Sequence, residues 1–327
     1  MEGGADMNIR EAASTYINYR RAVGEKYITG AKHLNRLIKF VGEDVELEDV
    51  TADTVTGYLY GGHKSANATW FIRYGVLKGF FIWANTRGLC DHIPLPPKKP
   101  KHPPGLQPYI YSDEELKRLF ETALDYRVWR KKKEKLYPQC VQMVLILCHV
   151  LGLRLGESTR LRIKDVDMGE CVVYVRDTKF YKSRMVPFNE SIKNILGSFM
   201  DWRKTEGLSQ DLEANLFLDT KGNPLKDKTI ESIFRRIRSR LGISRSDIKQ
   251  QPRIHDLRHT FAVHRLVTWY RQGADVQRLL PQLSTYMGHS HLRHTSVYLS
   301  MTDCLLGEAN KRFASFAKLS ENDHENE

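Results

Sequence analysis

The stretch LGLRLGESTRLRIKDVDMGECVVYVR, Leu151 to Arg176, decides the fold because three signals change within it. Ahead of it, Val141 to Leu153 is the longest apolar run, interrupted by Gln142 and His149. It is too short to cross a bilayer and reads as a buried helix. Gly152 breaks that helix, and Leu155 to Leu161 resumes as a short one. The β-branched run CVVYVR, Cys171 to Arg176, and RMVPF, Arg184 to Phe188, then predict two short strands around a basic turn. Outward from this core, helical spacing covers Ser112 to Leu124, Glu190 to Thr205, Lys228 to Leu241 and His255 to Arg271, and returns in the C-terminal region. Ser112 and Glu115 stand at capping-box spacing. The fold class is therefore mainly α with a small antiparallel β-sheet (α+β).

Nearer the N-terminus, Asn8 to Val23, Gly30 to Val41, Thr51 to Tyr60 and Ser65 to Asn85 read as helices of a small bundle. The last carries Trp70, Phe71, Tyr74, Phe80, Phe81 and Trp83, an aromatic stripe better suited to core packing than to stacking on nucleobases. The segment IPLPPKKPKHPPGLQP, Ile93 to Pro108, has seven prolines and cannot sustain a helix or a central strand. The expected division is a helical domain over 1–92, a basic proline-rich linker over 93–108, a larger domain over 109–319 and an acidic tail over 320–327.

The 327 residues carry a net charge of +12, unevenly spread. Residues 1–108 hold 14 Lys+Arg against 11 Asp+Glu, whereas residues 109–319 hold 37 against 24. A basic body of this kind attracts polyphosphate through counterion release. The first residues, MEGGADMNIR, lack the apolar core of a secretory signal. The five cysteines are widely spaced with no C-x-x-C pair, which suits free thiols in a reducing compartment. A cytoplasmic protein facing nucleic acid, with no membrane association, is expected.

The chemistry-bearing residues form an ordered set: Arg154 and Glu157 in GLRLGE, Lys179 in DTKFYKSRMVPF, His255 and Arg258 in HDLRHTFA, and His289 and Tyr298 in MGHSHLRHTSVY. Arginines, a lysine and histidines suit a pentavalent phosphate, and a tyrosine hydroxyl suits attack on it. Each residue has a plainer reading. Lys182 and Arg184 compete with Lys179, Glu157 can pair with Arg160 or Arg162, and Tyr286 and Tyr270 rival Tyr298. His33-x-x-Arg36 repeats the H-x-x-R spacing on a helix of the small domain. His255 and His259, one turn apart, raise the possibility of zinc, but no H-E-x-x-H, carboxylate triad or cysteine pair completes a site. No metal or other cofactor is expected.

GLRLGESTRLRIKDVD, the TK-x-x-K-S-R-x-V-P hairpin, HDLRHTFA, and a GH followed nine residues on by tyrosine together resemble the tyrosine recombinase (phage integrase) family. The resemblance spans Tyr111 to about Leu319, and residues 1–92 with the basic linker resemble that family's core-binding domain. LLPQLSTYMGHS resembles the transposon-associated branch, with a longer segment before His289 than is usual. The resemblance implies a site-specific DNA recombinase working without ATP or metal. Tyr298 would attack a scissile phosphate to give a 3′-phosphotyrosine, and Arg154 and Arg258 would clamp non-bridging oxygens. Lys179 would protonate the leaving 5′-oxygen, His255 would assist proton transfer at Tyr298, and His289 would hydrogen-bond a phosphate oxygen. Glu157 would orient the set, and His259 would pack beneath it. The implied partner is double-stranded DNA with paired recombination sites. A tetramer would form on it, with the amphipathic CLLGEANKRFASFAKL docking on a neighbouring subunit; packing on its own domain is the alternative. The competing activities are type IB topoisomerase-like relaxation, a non-cleaving DNA-binding regulator on the same fold, and a zinc-dependent hydrolase.

Overall fold

The structure is a computed structural model that describes residues 7–101, 107–125, 136–176, 183–245, 251–289 and 291–300. Lys179, Lys182, the basic WRKKKEK run, the C-terminal amphipathic segment and the acidic tail lie outside the described residues. The chain divides into two compact units, Met1–Leu106 and Gln107–Glu327.

In the first unit, α1 (Ile9–Ala22), α2 (Ile28–Val41), α3 (Ala52–Tyr60) and α4 (Ala68–Thr86) surround an aromatic core. Side chains start three of them: Asn8 Oδ1 accepts from Glu11 N at 2.9 Å, Thr51 Oγ1 from Thr54 N at 3.2 Å, and Asn67 Oδ1 from Trp70 N at 3.1 Å. Each satisfies an amide that the helix itself cannot reach. The aromatic stripe of α4 is core, with Trp70, Phe80 and Phe81 buried beside Tyr16 of α1. Tyr16 lies 5.6 Å from Phe80 and 5.2 Å from Trp83 between ring centroids. His33 is buried on α2, and Lys99 of the proline-rich segment lies over Phe71 and Tyr74.

The second unit begins with α5 (Asp113–Asp125), entered through the expected capping box. Ser112 N donates to Glu115 Oε2 at 2.9 Å, and Glu115 N donates to Ser112 Oγ at 3.2 Å. Then come α6 (Pro138–Val150), the one-turn α7 (Leu155–Ser158), and a sheet of β1 (Val166–Asp167), β2 (Val172–Val175) and β3 (Arg184–Pro187). The order is β1-β2-β3, antiparallel, with Val173 opposite both Val166 and Val186. The sequence predicted β2 and β3 but not β1, which is two residues long and too short to carry a period. Val173, Val175 and Val186 face the core. Helices α8 (Glu190–Thr205), α9 (Asp227–Arg240), α10 (Ile254–Arg271), α11 (Val276–Met287) and the short α12 (Arg293–Ser296) complete the unit, followed by a 3-10 turn, Val297–Ser300. Helix α10 packs along α6, so the loops at Gly152 and Gly288 meet its first turns. The mainly α architecture with a small antiparallel sheet agrees with the class expected from sequence. Among the described residues no helix is long and apolar enough to cross a membrane.

Candidate active site

Glu157 lies at the centre of the site, with only 4% of its side chain exposed. Its carboxylate closes the first turn of α7 by accepting from Arg154 N at 2.9 Å, and pairs with Arg154 Nη1 at 2.7 Å. Arg184, at the start of β3, grips both oxygens: Nη2 to Oε2 at 2.8 Å and Nη1 to Oε1 at 3.1 Å. Arg258 Nη1 stands 4.0 Å from the same carboxylate. Burial alone would push the carboxyl up, but Arg184 and Arg154 outweigh it and hold the group at about 2. One buried negative charge therefore braces three guanidiniums.

The main chain fixes the arginines from the other side. Arg258 donates through Nη1 to Gly152 O and through Nη2 to Met287 O, while Arg154 Nη2 donates to Gly288 O at 3.0 Å and Arg184 Nε to Tyr286 O at 2.8 Å. Two glycines make these approaches possible. Gly152 has φ +58°, and a Cβ there would stand 2.6 Å from Phe261. Gly288 has φ +65°, and a Cβ would stand 3.0 Å from Arg184. Both turns need the left-handed region and the missing side chain together. Burial, then Arg154, lowers the Arg258 pKa, yet a guanidinium remains charged at neutral pH.

Tyr298 sits in the 3-10 turn, buried, and its hydroxyl shares a 2.8 Å hydrogen bond with His259 Nδ1 of α10. His255, one turn earlier, meets the His259 ring edge-to-face at 4.6 Å between centroids. His289 follows Gly288, its ring 6.4 Å from that of Tyr298, with Nδ1 2.7 Å from Thr295 Oγ1. Desolvation pushes Tyr298 up to about 12, partly offset by Arg258 and Arg154. Desolvation also pushes His259 down to about 4 and His289 to about 3, with Arg258 adding to both. The His255 ring reaches solvent, and its pKa is lowered by the atoms packed around it and by His259, Arg258 and Arg253. These imidazoles are neutral at pH 7 and can accept a proton.

Of the seven residues singled out in the sequence, six are described, and all six fall in this one cluster: Arg154, Glu157, His255, Arg258, His289 and Tyr298. Lys179 lies outside the described residues. Glu157 turns inward to Arg154 and Arg184 rather than outward to Arg160 or Arg162. Arg184 entered the sequence reading only as a competitor of Lys179; its place on the inner side of β3 was legible from strand alternation, its partner was not. His259, expected to pack beneath the site, holds the Tyr298 hydroxyl. Tyr286 stacks on Phe261 at 5.5 Å and supplies a carbonyl to Arg184. Among the described residues no group of three or more His, Cys, Asp or Glu could hold a metal ion.

An α+β unit with a buried tyrosine beside braced arginines defines a class, and comparison with known proteins agrees with it. The phage integrase family model matches residues 111–303, and the chain belongs to that family of tyrosine recombinases. A Sinorhizobium fredii (strain NBRC 101917 / NGR234) protein that goes by the name integrase/recombinase y4rB is 33% identical over 306 residues, covering 93% of this chain and 96% of that one. The tyrosine recombinase XerC of Oceanobacillus iheyensis is 28% identical over 244 residues, covering 72% and 71%. Among solved structures, the Tn1549 transposon integrase in complex with transposon right end DNA shares the fold at TM-score 0.68 and 18% identity, covering 94% and 100%. A lambda integrase dimer bound to a core site shares it at TM-score 0.63 and 17% identity, covering 88% and 96%.

Proposed function

We propose that this chain cuts and rejoins double-stranded DNA at paired sites through a 3′-phosphotyrosine at Tyr298, as a transposon-type integrase. The observation that carries this reading is a buried tyrosine hydroxyl in the same chain's cluster as Arg154 and Arg258, both braced on Glu157. The tyrosyl oxygen attacks phosphorus, the bond to the 5′-oxygen breaks, and the energy of the diester is kept in the tyrosyl ester. Resealing reverses the step, so neither ATP nor a metal is required. Arg154 and Arg258 hold the non-bridging oxygens, where charge grows in the transition state. Each guanidinium has five N–H donors, and the carbonyl and carboxylate contacts leave donors for the phosphate. With its Nδ1 accepting from Thr295, His289 presents Nε2–H to a phosphate oxygen. Lys179 protonates the leaving 5′-oxygen, and His255 assists proton transfer at Tyr298.

Residues 1–92 and the basic linker complete the grip on DNA, and the segment 304–319 joins protomers into a tetramer on paired sites, in the cytoplasm. A lambda integrase of this fold was solved as a tetramer bound to a Holliday junction, which supports that reading. The net charge of +12 suits a DNA-bound body whose affinity falls steeply with salt. Covalent capture in the native host, followed by sequencing of DNA attached to Tyr298, tests the reading and identifies the site. Wild type is expected to yield an adduct at one recurrent sequence, and Tyr298→Phe to yield none while binding that DNA with unchanged affinity. An adduct that survives Tyr298→Phe overturns the chemistry. Relaxation of supercoiled DNA without strand exchange between two labelled duplexes overturns the pairing of sites.

A further inference from the structure

We infer that His259 is a catalytic residue of this site: it takes the proton from the Tyr298 hydroxyl as the tyrosyl–phosphorus bond forms and returns it on rejoining, with the His255 ring packed against it. The inference rests on the proposed strand-transfer function and deepens it by giving the nucleophile's proton an acceptor.

Geometry carries the assignment. The hydroxyl of Tyr298 lies 2.8 Å from His259 Nδ1, within the reach a general base needs. His255, to which the resemblance gives proton transfer, has its ring contact with His259 instead, at 4.6 Å between centroids. The two histidines differ in access, since His259 is partly buried over the tyrosine and His255 is open to water. The groups facing His259 are Tyr298 from the 3-10 turn, His255 and Arg258 on its own helix, Arg253 at the helix start, and His289 from the loop after α11. Burial, joined by Arg253 and Arg258, keeps the imidazole neutral until attack. A neutral ring in the Nε2–H tautomer accepts from the hydroxyl at Nδ1.

The step balances without any further reactant. The tyrosyl O–H bond breaks as the O–P bond forms, the proton passes to His259 Nδ1, and the bond between phosphorus and the 5′-oxygen breaks. The 5′-oxygen takes its proton from a separate donor, assigned above to Lys179. On rejoining, protonated His259 returns its proton to the tyrosyl oxygen as that oxygen leaves.

Single-turnover cleavage of a nicked duplex carrying the captured site, followed from pH 6.5 to 9.5, tests this. His259→Asn keeps an acceptor where Nδ1 stands but cannot take up a proton. It is expected to cleave about 100-fold or more slowly at pH 7, with DNA affinity unchanged. Its rate should climb roughly tenfold per pH unit where wild type is flat, because hydroxide must then remove the proton. A bridging 5′-phosphorothiolate, whose leaving group needs no proton, is expected to rescue Lys179→Ala and not His259→Asn. If His259→Asn cleaves at the wild-type rate with the wild-type pH profile while Tyr298→Phe forms no adduct, the role of His259 is overturned and the strand-transfer function stands. If Tyr298→Phe still forms the adduct, both fall. Should His259→Asn lose DNA binding, His259→Gln and His259→Ala are read in the same way, and a binding-competent variant with a flat pH profile counts against the assignment.

Discussion

The N-terminal and C-terminal units have similar apolar interiors but treat charge in opposite ways. Among the described residues, the polar or charged side chain buried in the first unit is His33, and its ion pairs, such as Arg20 with Glu25, lie toward solvent. The second unit buries Glu157, Asp165, Arg203, Asp256 and Arg258. Arg203 shows that such burial need not be functional, since it donates to the carbonyls of Leu216, Ser209 and Asn215 and stitches a loop to α8. Arg154, Arg184 and Arg258 differ in converging on one carboxylate. Burying like charges together is unfavourable unless each is paired, so their convergence marks a place built to receive an anion.

The largest expected effect follows from removing the shared counter-charge. Glu157→Gln leaves three guanidiniums facing one another and should destabilise the second unit by about 3–5 kcal/mol. Hydrogen exchange read by mass spectrometry should show loosening of α7, β3 and the start of α10, with α1 to α4 unaffected. Equal loosening of both units would erase the contrast.

Arg258→Lys comes next. A lysine cannot span Gly152 O and Met287 O, so adduct formation should fall about 100- to 1,000-fold while the fold survives. Single-turnover assays on the captured site measure it, and a loss under tenfold would argue that this arginine only supports the loops.

The two units should also part company in acid. His149, His259, His264 and His289 have pKa values lowered chiefly by burial, and His255, though it reaches solvent, is lowered by the atoms packed around it and by its charged neighbours. Their contribution to stability is full above the usual imidazole value of 6.5 and is lost as pH falls toward about 4, because the unfolded chain binds protons first. In the first unit His33 is lowered by burial, whereas His92 is raised by Val50 O and Glu48. His92 acts in the reverse sense, stabilising below 6.5 and losing its effect as pH rises through its folded value, so the two oppose. Urea midpoints followed by proteolysis of each unit should drop between pH 6.5 and 4 for the second unit and move little for the first. Glu157, held at about 2, adds its own loss only below the ordinary carboxyl value of 4.5.

The smallest effect is expected at the N-terminal surface. Glu25→Ala removes a pair that is 28% and 37% exposed and should cost under about 1 kcal/mol. A thermal shift of many degrees would mean that the first unit leans on surface charge more than its burial pattern suggests.

Periodicity placed most helices within one to three residues of their observed ends; Glu190–Thr205 matches on both ends because Asn189 caps it and an apolar face repeats along it. The members of the site were legible as an ordered set of motifs whose resemblance to the family outweighed the weakness of each one alone. Their mutual contacts were not. That Arg184 would grip Glu157, and that His259 instead of His255 would meet Tyr298, depends on the angle at which α10 crosses the 3-10 turn. Spacing along a chain carries no such angle. Two neighbouring histidines on adjoining turns look alike until the opposing element is in position.

The main-chain oxygens of Gly152, Met287 and Gly288 have a consequence for how this molecule can diverge. Because the arginines are anchored to peptide carbonyls, the solvent-facing side chains of α11 can drift and the connection from α10 can lengthen without retuning the site. Only the final turn must arrive with its oxygens pointing inward. A side chain is then least tolerable where glycine ends a helix, at Gly152 and Gly288, and substitution is easiest at the solvent-facing positions just before it.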